Sequence, residues 1–366
     1  MIYAADRFPQ GRILSRQAKT SRAACVNVPF QGWRAWSFRQ LLRTPVLRRR
    51  RDLLNLISDV DFDSQLLAHL DGVQLLDGVM GQCSRTFERL AHQRVSLVLT
   101  ALNTHIDHVA DVLAEEHRRL GIRAPGFVHP RMRVRVRREV ECAVRIRAVS
   151  DASRESFIER GVAADKIEVV LPAVDLDYFR PVKKKDDVFR VLAVLTIDSR
   201  KGAYYLLKAF GRAAIPNSEL TIIGTTGDRW SNQMLQGFLG RLNNLRLQRA
   251  DVLRDPIEDT YGQASVLVHP AIEDGFGLAV AQGLACGIPV ITTRQTGASQ
   301  LIQEGRSGYV LECRDVDGIV DRLRYLAQNR SLLKQMSEAA PNSVAHLGYP
   351  EFVENVAKFY NRALAA

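Results

Sequence analysis

The chain has 366 residues, which is more than one hydrophobic core usually serves, so we predict two domains with a cleft between them. Hydrophobic residues make up 46% and charged residues 25% of the chain, and this composition excludes a globally disordered protein. The sequence shows neither a run of roughly 18 or more apolar residues nor a signal-peptide pattern at its start, so we expect a cytoplasmic location.

The formal net charge of +11 is concentrated at the start of the chain. Residues 1–51 carry twelve Arg or Lys side chains and one acid, Asp6, whereas the remainder is neutral. Basic residues interleaved with Trp33, Trp36 and Phe38 are typical of surfaces that meet anionic lipid headgroups. A solvated basic face and a nucleic-acid patch are the alternatives, but no helix-turn-helix or stacking pattern supports the second. We therefore expect residues 7–51 to contact an anionic membrane surface, at its inner face, and expect no nucleic-acid partner.

Short β-rich runs alternate with helical patterns from about residue 73 onward, which indicates βαβ units on a parallel sheet. The predicted strands of the first half are 73–76, 95–99 and 145–149, and the predicted helices are 84–93, 105–120, 131–144 and 151–160. Ser150 precedes the last of these helices and is predicted to be its N-cap. We assign residues 1–180 to an N-terminal domain.

A charged connector at 181–187 separates this half from a second βαβ series. Its predicted strands are 188–195, 220–223, 245–248, 266–268, 290–292 and 309–311, and its predicted helices are 203–213, 231–242, 257–263, 278–286 and 316–327. The pattern predicts a doubly wound α/β domain of about six strands over residues 188–345. Residues 350–366 form an amphipathic helix that we expect to pack across the domains.

The segment after the first strand of this second series has the composition of a phosphate site. It contains Arg200, Lys201 and Gly202 directly before a predicted helix, so two cations and free backbone N–H groups would meet at a helix N-terminus. A solvated turn is the alternative, because Lys-Gly before a helix is common.

A second candidate segment follows the predicted strand 266–268. There Gly275, Phe276, Gly277 and Leu278 open a helix, so their amides could point at an anion. Acidic residues beside an anion site are unfavourable unless they face hydroxyl groups or a cation, which is the role expected of Glu273 and Asp274. Gln282 lies two helical turns after Asp274, where its amide could meet a sugar hydroxyl.

Four blocks in the same order resemble family 4 glycosyltransferases, the retaining enzymes of the GT-B fold. The strongest is Glu-Asp-Gly-Phe-Gly-Leu at 273–278 with Gln282 and Ala-Cys-Gly-Ile-Pro-Val-Ile at 285–291. Arg200-Lys201-Gly202 resembles the diphosphate-binding turn of the family, and residues 149–181 resemble the segment that closes its N-terminal domain. Thr104-His105 resembles the acceptor-side loop of one branch.

The resemblance implies an α/β protein of two Rossmann-like domains whose parallel sheets face a central cleft. It implies transfer of a sugar from a nucleotide-diphospho-sugar, of UDP or GDP type, to a cell-surface glycan or lipid-linked acceptor, with no metal and no further cofactor. Catalytic roles would fall on Asp274, Glu273 and His105, and donor binding on Arg200, Lys201, Gly275, Phe276, Gly277, Leu278 and Gln282. A structural histidine is the alternative for His105.

Departures from the family pattern bear on activity. Where the family has Glu at both ends of its Glu-x7-Glu spacing, this chain has Asp274 and Gln282, and Gln300 stands at a third position usually held by Glu. The family's opening strand and glycine-rich loop have no counterpart in residues 1–30, although Ile2–Ala5 could be a strand of a shortened first domain.

Two other functions therefore stay open. A degenerate member would bind nucleotide without turnover, and an isomerase of the same fold would act on a sugar nucleotide. Oxidoreduction with a dinucleotide is not expected, because no G-x-G-x-x-G follows a strand.

Overall fold

The structure is a computed structural model, and it describes residues 2–5, 25–28, 51–67, 70, 72–122, 128–226, 228–248 and 257–366. The chain forms two compact units. The first comprises Met1–Thr100, Pro125–Ile146 and Tyr360–Ala366, and the second comprises Ala101–Ala124 and Arg147–Phe359. The basic segment for which membrane contact is predicted, residues 7–51, lies outside the described residues apart from Cys25–Val28 and Arg51.

Twelve strands are present in the described part of the chain. They are β1 (Ile2–Ala5), β2 (Cys25–Val28), β3 (Leu75–Val79), β4 (Ser96–Ala101), β5 (Arg145–Ala148), β6 (Ile167–Val169), β7 (Phe189–Val194), β8 (Ser218–Ile223), β9 (Leu245–Gln248), β10 (Val266–His269), β11 (Val290–Thr293) and β12 (Gly308–Leu311).

The α-helices alternate with these strands. They are α1 (Arg51–Leu66), α2 (Ser84–Leu90), α3 (Ile106–Leu120), α4 (Pro130–Cys142), α5 (Asp151–Ile158), α6 (Ala203–Ala213), α7 (Arg229–Leu239), α8 (Glu258–Gln263), α9 (Leu278–Ala285), α10 (Val316–Gln328), α11 (Arg330–Ala339) and α12 (Tyr349–Leu364). Among the residues described, no helix combines the length and the apolar composition needed to cross a bilayer.

The larger sheet has six strands in the order β12-β11-β10-β7-β8-β9, and its paired strands are parallel. Counted from β7, this is the order 3-2-1-4-5-6 of doubly wound nucleotide-binding folds, and the direction of winding reverses between β7 and β10. The prediction of a doubly wound domain with about six strands is confirmed. Its strands are nearly continuous apolar runs because helices cover both faces of a parallel sheet, and Val191, Leu192, Val266 and Leu267 are fully buried.

A second parallel sheet has the order β3-β4-β5-β6, and β1 pairs with β2 in a separate two-stranded parallel sheet. The predicted α/β class with two parallel sheets is therefore confirmed. The predicted strand at Ile2–Ala5 is β1. The C-terminal helix is α12, in which Phe359 is fully buried and Val353 is 52% exposed.

Buried carboxylates fix the loop between β3 and α2 in the first unit. Glu139 accepts hydrogen bonds from the amides of Gly81 (2.5 Å) and Cys83 (2.9 Å), and Asp63 pairs with Arg135 (2.8 Å). Burial raises the pKa of Glu139 to about 7 from an ordinary 4.5, although the two amides and Arg135 oppose the rise. Glu139 therefore takes up a proton more readily in the folded chain than in the unfolded chain.

This shift predicts a pH-dependent stability. Between pH 4.5 and 7 the folded state retains a proton that the unfolded state releases, so the free energy of unfolding should fall by up to about 1.4 kcal/mol per pH unit and then level off. Urea unfolding from pH 4.5 to 8 should show this decline in the wild type and not in Glu139→Gln. Glu141→Gln, an exposed change on the same helix, should keep the wild-type slope, and an unchanged slope in Glu139→Gln would contradict the assignment.

Candidate functional site

The two segments singled out in the sequence follow β7 and β10, the two strands at which the winding of the larger sheet reverses. Their backbones touch, since the amide of Ile272 donates to the carbonyl of Arg200 at 2.8 Å. Gly202, with φ +68°, lies so close to the other loop that a Cβ there would stand 1.9 Å from the carbonyl oxygen of Pro270. The structure therefore brings both segments together at the position where doubly wound sheets bind ligands.

Each of the two adjacent cations pairs with one of the two adjacent carboxylates. Nζ of Lys201 donates to Oδ2 of Asp274 at 2.5 Å, and Nε of Arg200 donates to Oε2 of Glu273 at 2.6 Å. Side-chain exposure is 16% for Lys201 and 1% for Glu273. Both acids were expected to face a cation or hydroxyl groups, and both face a cation.

Asp274 is the most strongly held member of this cluster. Its Oδ2 also lies 2.8 Å from Nε2 of His269. Burial alone would raise the pKa of Asp274, but Lys201, His269 and Arg200 together hold it well below its usual range. The Asp274 backbone is fixed as well, because its amide donates to Gln295 and its carbonyl accepts from Gly297. The result is an ionised carboxylate held in one place.

The glycine-bearing turn at 275–278 ends in a helix N-terminus. Gly277 is the N-cap of α9 with φ +86°. A Cβ on Gly275 would stand 2.5 Å from Cα of Asn103, so only glycine allows these two backbones to approach. Within the residues that the structure describes, the amides of 275–278 donate to no protein acceptor, and they therefore form a set of donors at the positive end of a helix dipole.

The remaining predicted site residues differ in what their side chains do. Phe276 is 4% exposed and belongs to the hydrophobic core, so its backbone alone is available to a ligand. Leu278 is 45% exposed. Oε1 of Gln282 accepts from the hydroxyl of the buried Tyr261 at 3.0 Å. Gln300 is occupied elsewhere, accepting from the amide of Asp151 at the start of α5.

His105 occupies the N-cap of α3. Its Nδ1 accepts from the amide of Asp107 at 3.2 Å, and its ring packs edge-on against Phe157 with centroids 5.0 Å apart. The side chain is buried at 4% exposure. These contacts give His105 a capping function, and a role for it in chemistry stays a prediction.

Several side chains contact the site residues in ways that the sequence did not predict. Oγ1 of Thr104 donates to Oε1 of Glu273 at 2.8 Å, and Oδ1 of Asn103 accepts from Nη2 of Arg200 at 2.6 Å. Ser150, confirmed as the N-cap of α5, donates to the carbonyl of Gly275 at 2.6 Å. His269 could have been found from sequence, because it is the last residue of a strand at the point where ligands bind.

Comparison with known proteins confirms the resemblance. The family described as glycosyl transferases group 1 matches residues 175–343. D-inositol 3-phosphate glycosyltransferase of Paenarthrobacter aurescens is 26% identical over 245 residues, covering 62% of this chain and 60% of the relative. The enzyme of the same name from Kribbella flavida is 26% identical over 248 residues, covering 61% and 58%. The match thus spans about 60% of the length of these curated relatives.

Solved structures of the GT-B type share the fold. Sucrose-phosphate synthase from Thermosynechococcus elongatus superposes with a TM-score of 0.70 at 17% identity, over 85% of this chain and 79% of that one. HepE from Anabaena, in complex with UDP-glucose, superposes with a TM-score of 0.66 at 16% identity, over 96% and 89%. At these identities the likeness establishes the fold alone.

Proposed function

We propose that this chain, whose residues 175–343 match the group 1 glycosyl transferases, transfers a sugar from a nucleotide-diphospho-sugar to a glycan or lipid-linked acceptor. The anomeric carbon would exchange its bond to the diphosphate for a bond to an acceptor hydroxyl oxygen, with its configuration retained. The hydroxyl proton and a nucleoside diphosphate would be released, and no metal would take part.

The observation that carries this proposal is the meeting of the Arg200-Lys201 turn with the amides of 275–278. A departing diphosphate gains negative charge, and cations and fixed N–H donors placed where that charge develops lower the barrier. Lys201 has three N–H donors, so it can keep Asp274 and still contact a phosphate oxygen. Asp274, helped by Glu273, would bind hydroxyl groups of the sugar, and Gln282 would contact the ribose. His105 would act towards the sugar from the acceptor side.

The donor class and the acceptor are further parts of the proposal. HepE from Anabaena is solved with UDP-glucose, which supports a UDP-type donor, and GDP-type donors are the second choice. The twelve basic residues of the first 51 support an acceptor at an anionic membrane, because each basic residue near such a surface adds about 1 kcal/mol of attraction. A nucleotide-sugar donor and an acceptor at the membrane together fit polysaccharide or glycolipid assembly at the inner membrane face.

Release of nucleoside diphosphate tests the proposal. The full chain would be incubated with UDP-glucose, UDP-N-acetylglucosamine and GDP-mannose, each with lipid and glycan acceptors, and the released UDP or GDP measured. We expect acceptor-dependent release from one of them. Binding without release would favour the degenerate member instead, a function suggested by the pairing of both cations with carboxylates and by the amide at Gln282.

The variant Gln282→Glu tests whether the amide, which stands where the family has Glu, is adapted to this chain's donor or weakens donor binding. Glutamate can still accept from Tyr261, and its charge would strengthen a hydrogen bond from a ribose hydroxyl by about 1 kcal/mol, which corresponds to roughly fivefold. We expect donor affinity to rise by that factor in a calorimetric titration. A fall in affinity would show that in this chain the amide is the better partner for the ribose hydroxyl. The matched control is Gln300→Glu, which lies outside the cation cluster.

A further inference from the structure

The carboxylate of Asp274 uses one oxygen for both of its side-chain partners. Oδ2 binds Nζ of Lys201 and Nε2 of His269, while Oδ1 contacts no protein donor in the part of the chain described. Because the carboxylate is ionised, Nε2 of His269 must carry the hydrogen. One carboxylate oxygen is thus anchored twice and the other retains its full capacity as an acceptor.

Within the described residues, the ring of His269 forms no hydrogen bond other than the one to Asp274. The side chain is 3% exposed, and its second nitrogen, Nδ1, is buried without a hydrogen-bond partner among the residues described. Burying an unpaired ring nitrogen lowers stability, which an apolar side chain at the end of β10 would avoid. The hydrogen bond to Asp274 therefore explains why a histidine is buried at this position.

The pair lies against the start of α9. A Cβ built on Gly277 would stand 3.5 Å from Nε2 of His269 and 3.5 Å from Oδ2 of Asp274. The anchored oxygen is therefore next to the amides of 275–278 that would hold the diphosphate. An anomeric carbon bonded to that diphosphate must come close to the same carboxylate.

Lys201 alone is a poor anchor for Asp274. Its ammonium group sits on a flexible four-carbon stem and has three rotatable donors, and the proposed function assigns it to the diphosphate. A buried imidazole on a central strand is rigid by comparison, so its hydrogen bond fixes Oδ2 of Asp274 while Lys201 also contacts a phosphate oxygen.

We propose that His269 is a positioning residue for the glycosyl group of the donor. It holds Oδ2 of Asp274 so that Oδ1 faces the sugar and accepts one of its hydroxyl groups, which leaves Lys201 to the diphosphate. This inference rests on the proposed function and separates two roles within the site. His269 determines how the sugar binds, and Lys201 determines how the nucleoside diphosphate binds.

The test compares the affinity for UDP with that for UDP-glucose, by calorimetry on the full chain. His269→Leu removes the ring donor but keeps the volume apolar, and His269→Gln returns an N–H donor near the position of Nε2. Thr293→Val is the matched control, because it deletes a buried hydrogen bond to the same loop, from Oγ1 to the carbonyl of Ala271 at 2.6 Å, without touching Asp274. Thermal midpoints are recorded for all variants.

We expect His269→Leu to bind UDP as the wild type does and to lose about tenfold in affinity for UDP-glucose. His269→Gln should recover most of that loss, and Thr293→Val should show none of it. Equal affinities of His269→Leu and wild type for both ligands, or an equal loss for both, would overturn the positioning role while leaving the proposed function in place. If the wild type binds neither these ligands nor GDP and GDP-mannose, the proposed function is wrong and the inference falls with it.

Discussion

Lys201→Met should bind UDP or GDP ten- to a hundredfold more weakly than the wild type, because a charge-assisted hydrogen bond to phosphate contributes about 1.5 to 3 kcal/mol. The side chain is 16% exposed and faces the partly buried Asp274, so water screens it little. Methionine preserves most of the length and apolar volume of the lysine stem. Calorimetric titration with each nucleoside diphosphate measures the effect.

A matched control is available on the adjoining helix. Lys208 lies in α6, is exposed, and has the same charge, so Lys208→Met reports the loss of one positive charge without the loss of the contact. We expect its affinity to stay within about twofold of the wild type. If Lys201→Met also binds within twofold, the diphosphate is not held by this lysine.

Gly202→Ala should destabilise the larger unit by about 3 kcal/mol or more, from a left-handed backbone angle and a steric clash together. The added Cβ would stand 1.9 Å from the carbonyl oxygen of Pro270 and 2.8 Å from its carbonyl carbon. Both are backbone atoms of the loop that carries Glu273 and Asp274. Relief of the clash therefore has to move one loop of the site away from the other.

Gly305→Ala provides the comparison. Gly305 has φ +70°, nearly the same as Gly202, yet a Cβ there would meet nothing within 4 Å. Its loss of stability should be the conformational part alone, about 1 to 2 kcal/mol. Denaturant unfolding of both variants measures the difference, and equal losses would show that the two loops are free to separate.

The alternation of the second half was predictable because its strands are short apolar runs bounded by glycine, proline or charged residues. Two helices were not predicted. In α1 (Arg51–Leu66), closely spaced apolar residues precede three aspartates, and this arrangement obscures the helical period. The start of α11 was hidden because only Asn329 separates it from α10, so the break depends on one backbone conformation.

The candidate site was predictable only in its local parts. Each of the two segments, Arg200-Lys201 and 273–278, follows a strand. The segments come together because those two strands, β7 and β10, are neighbours in the sheet. The partners of these residues come from far along the chain: the sequence separation is 97 for Asn103 and Arg200 and 169 for Thr104 and Glu273. No periodicity or spacing encodes such contacts, since they depend on the finished packing of the unit.

Asn103 and Thr104 lie outside the matched family region, yet they complete the hydrogen bonding of Arg200 and Glu273 inside it. A recombinant fragment starting at Arg147 would lack both, so the Glu273 carboxylate, 1% exposed in the full chain, would lose its hydrogen bond from Thr104. Such a fragment should express poorly or aggregate unless a separate peptide spanning 101–122 is supplied. During synthesis on the ribosome, Asn103 and Thr104 likewise remain unpaired until the later strands that enclose them have been made.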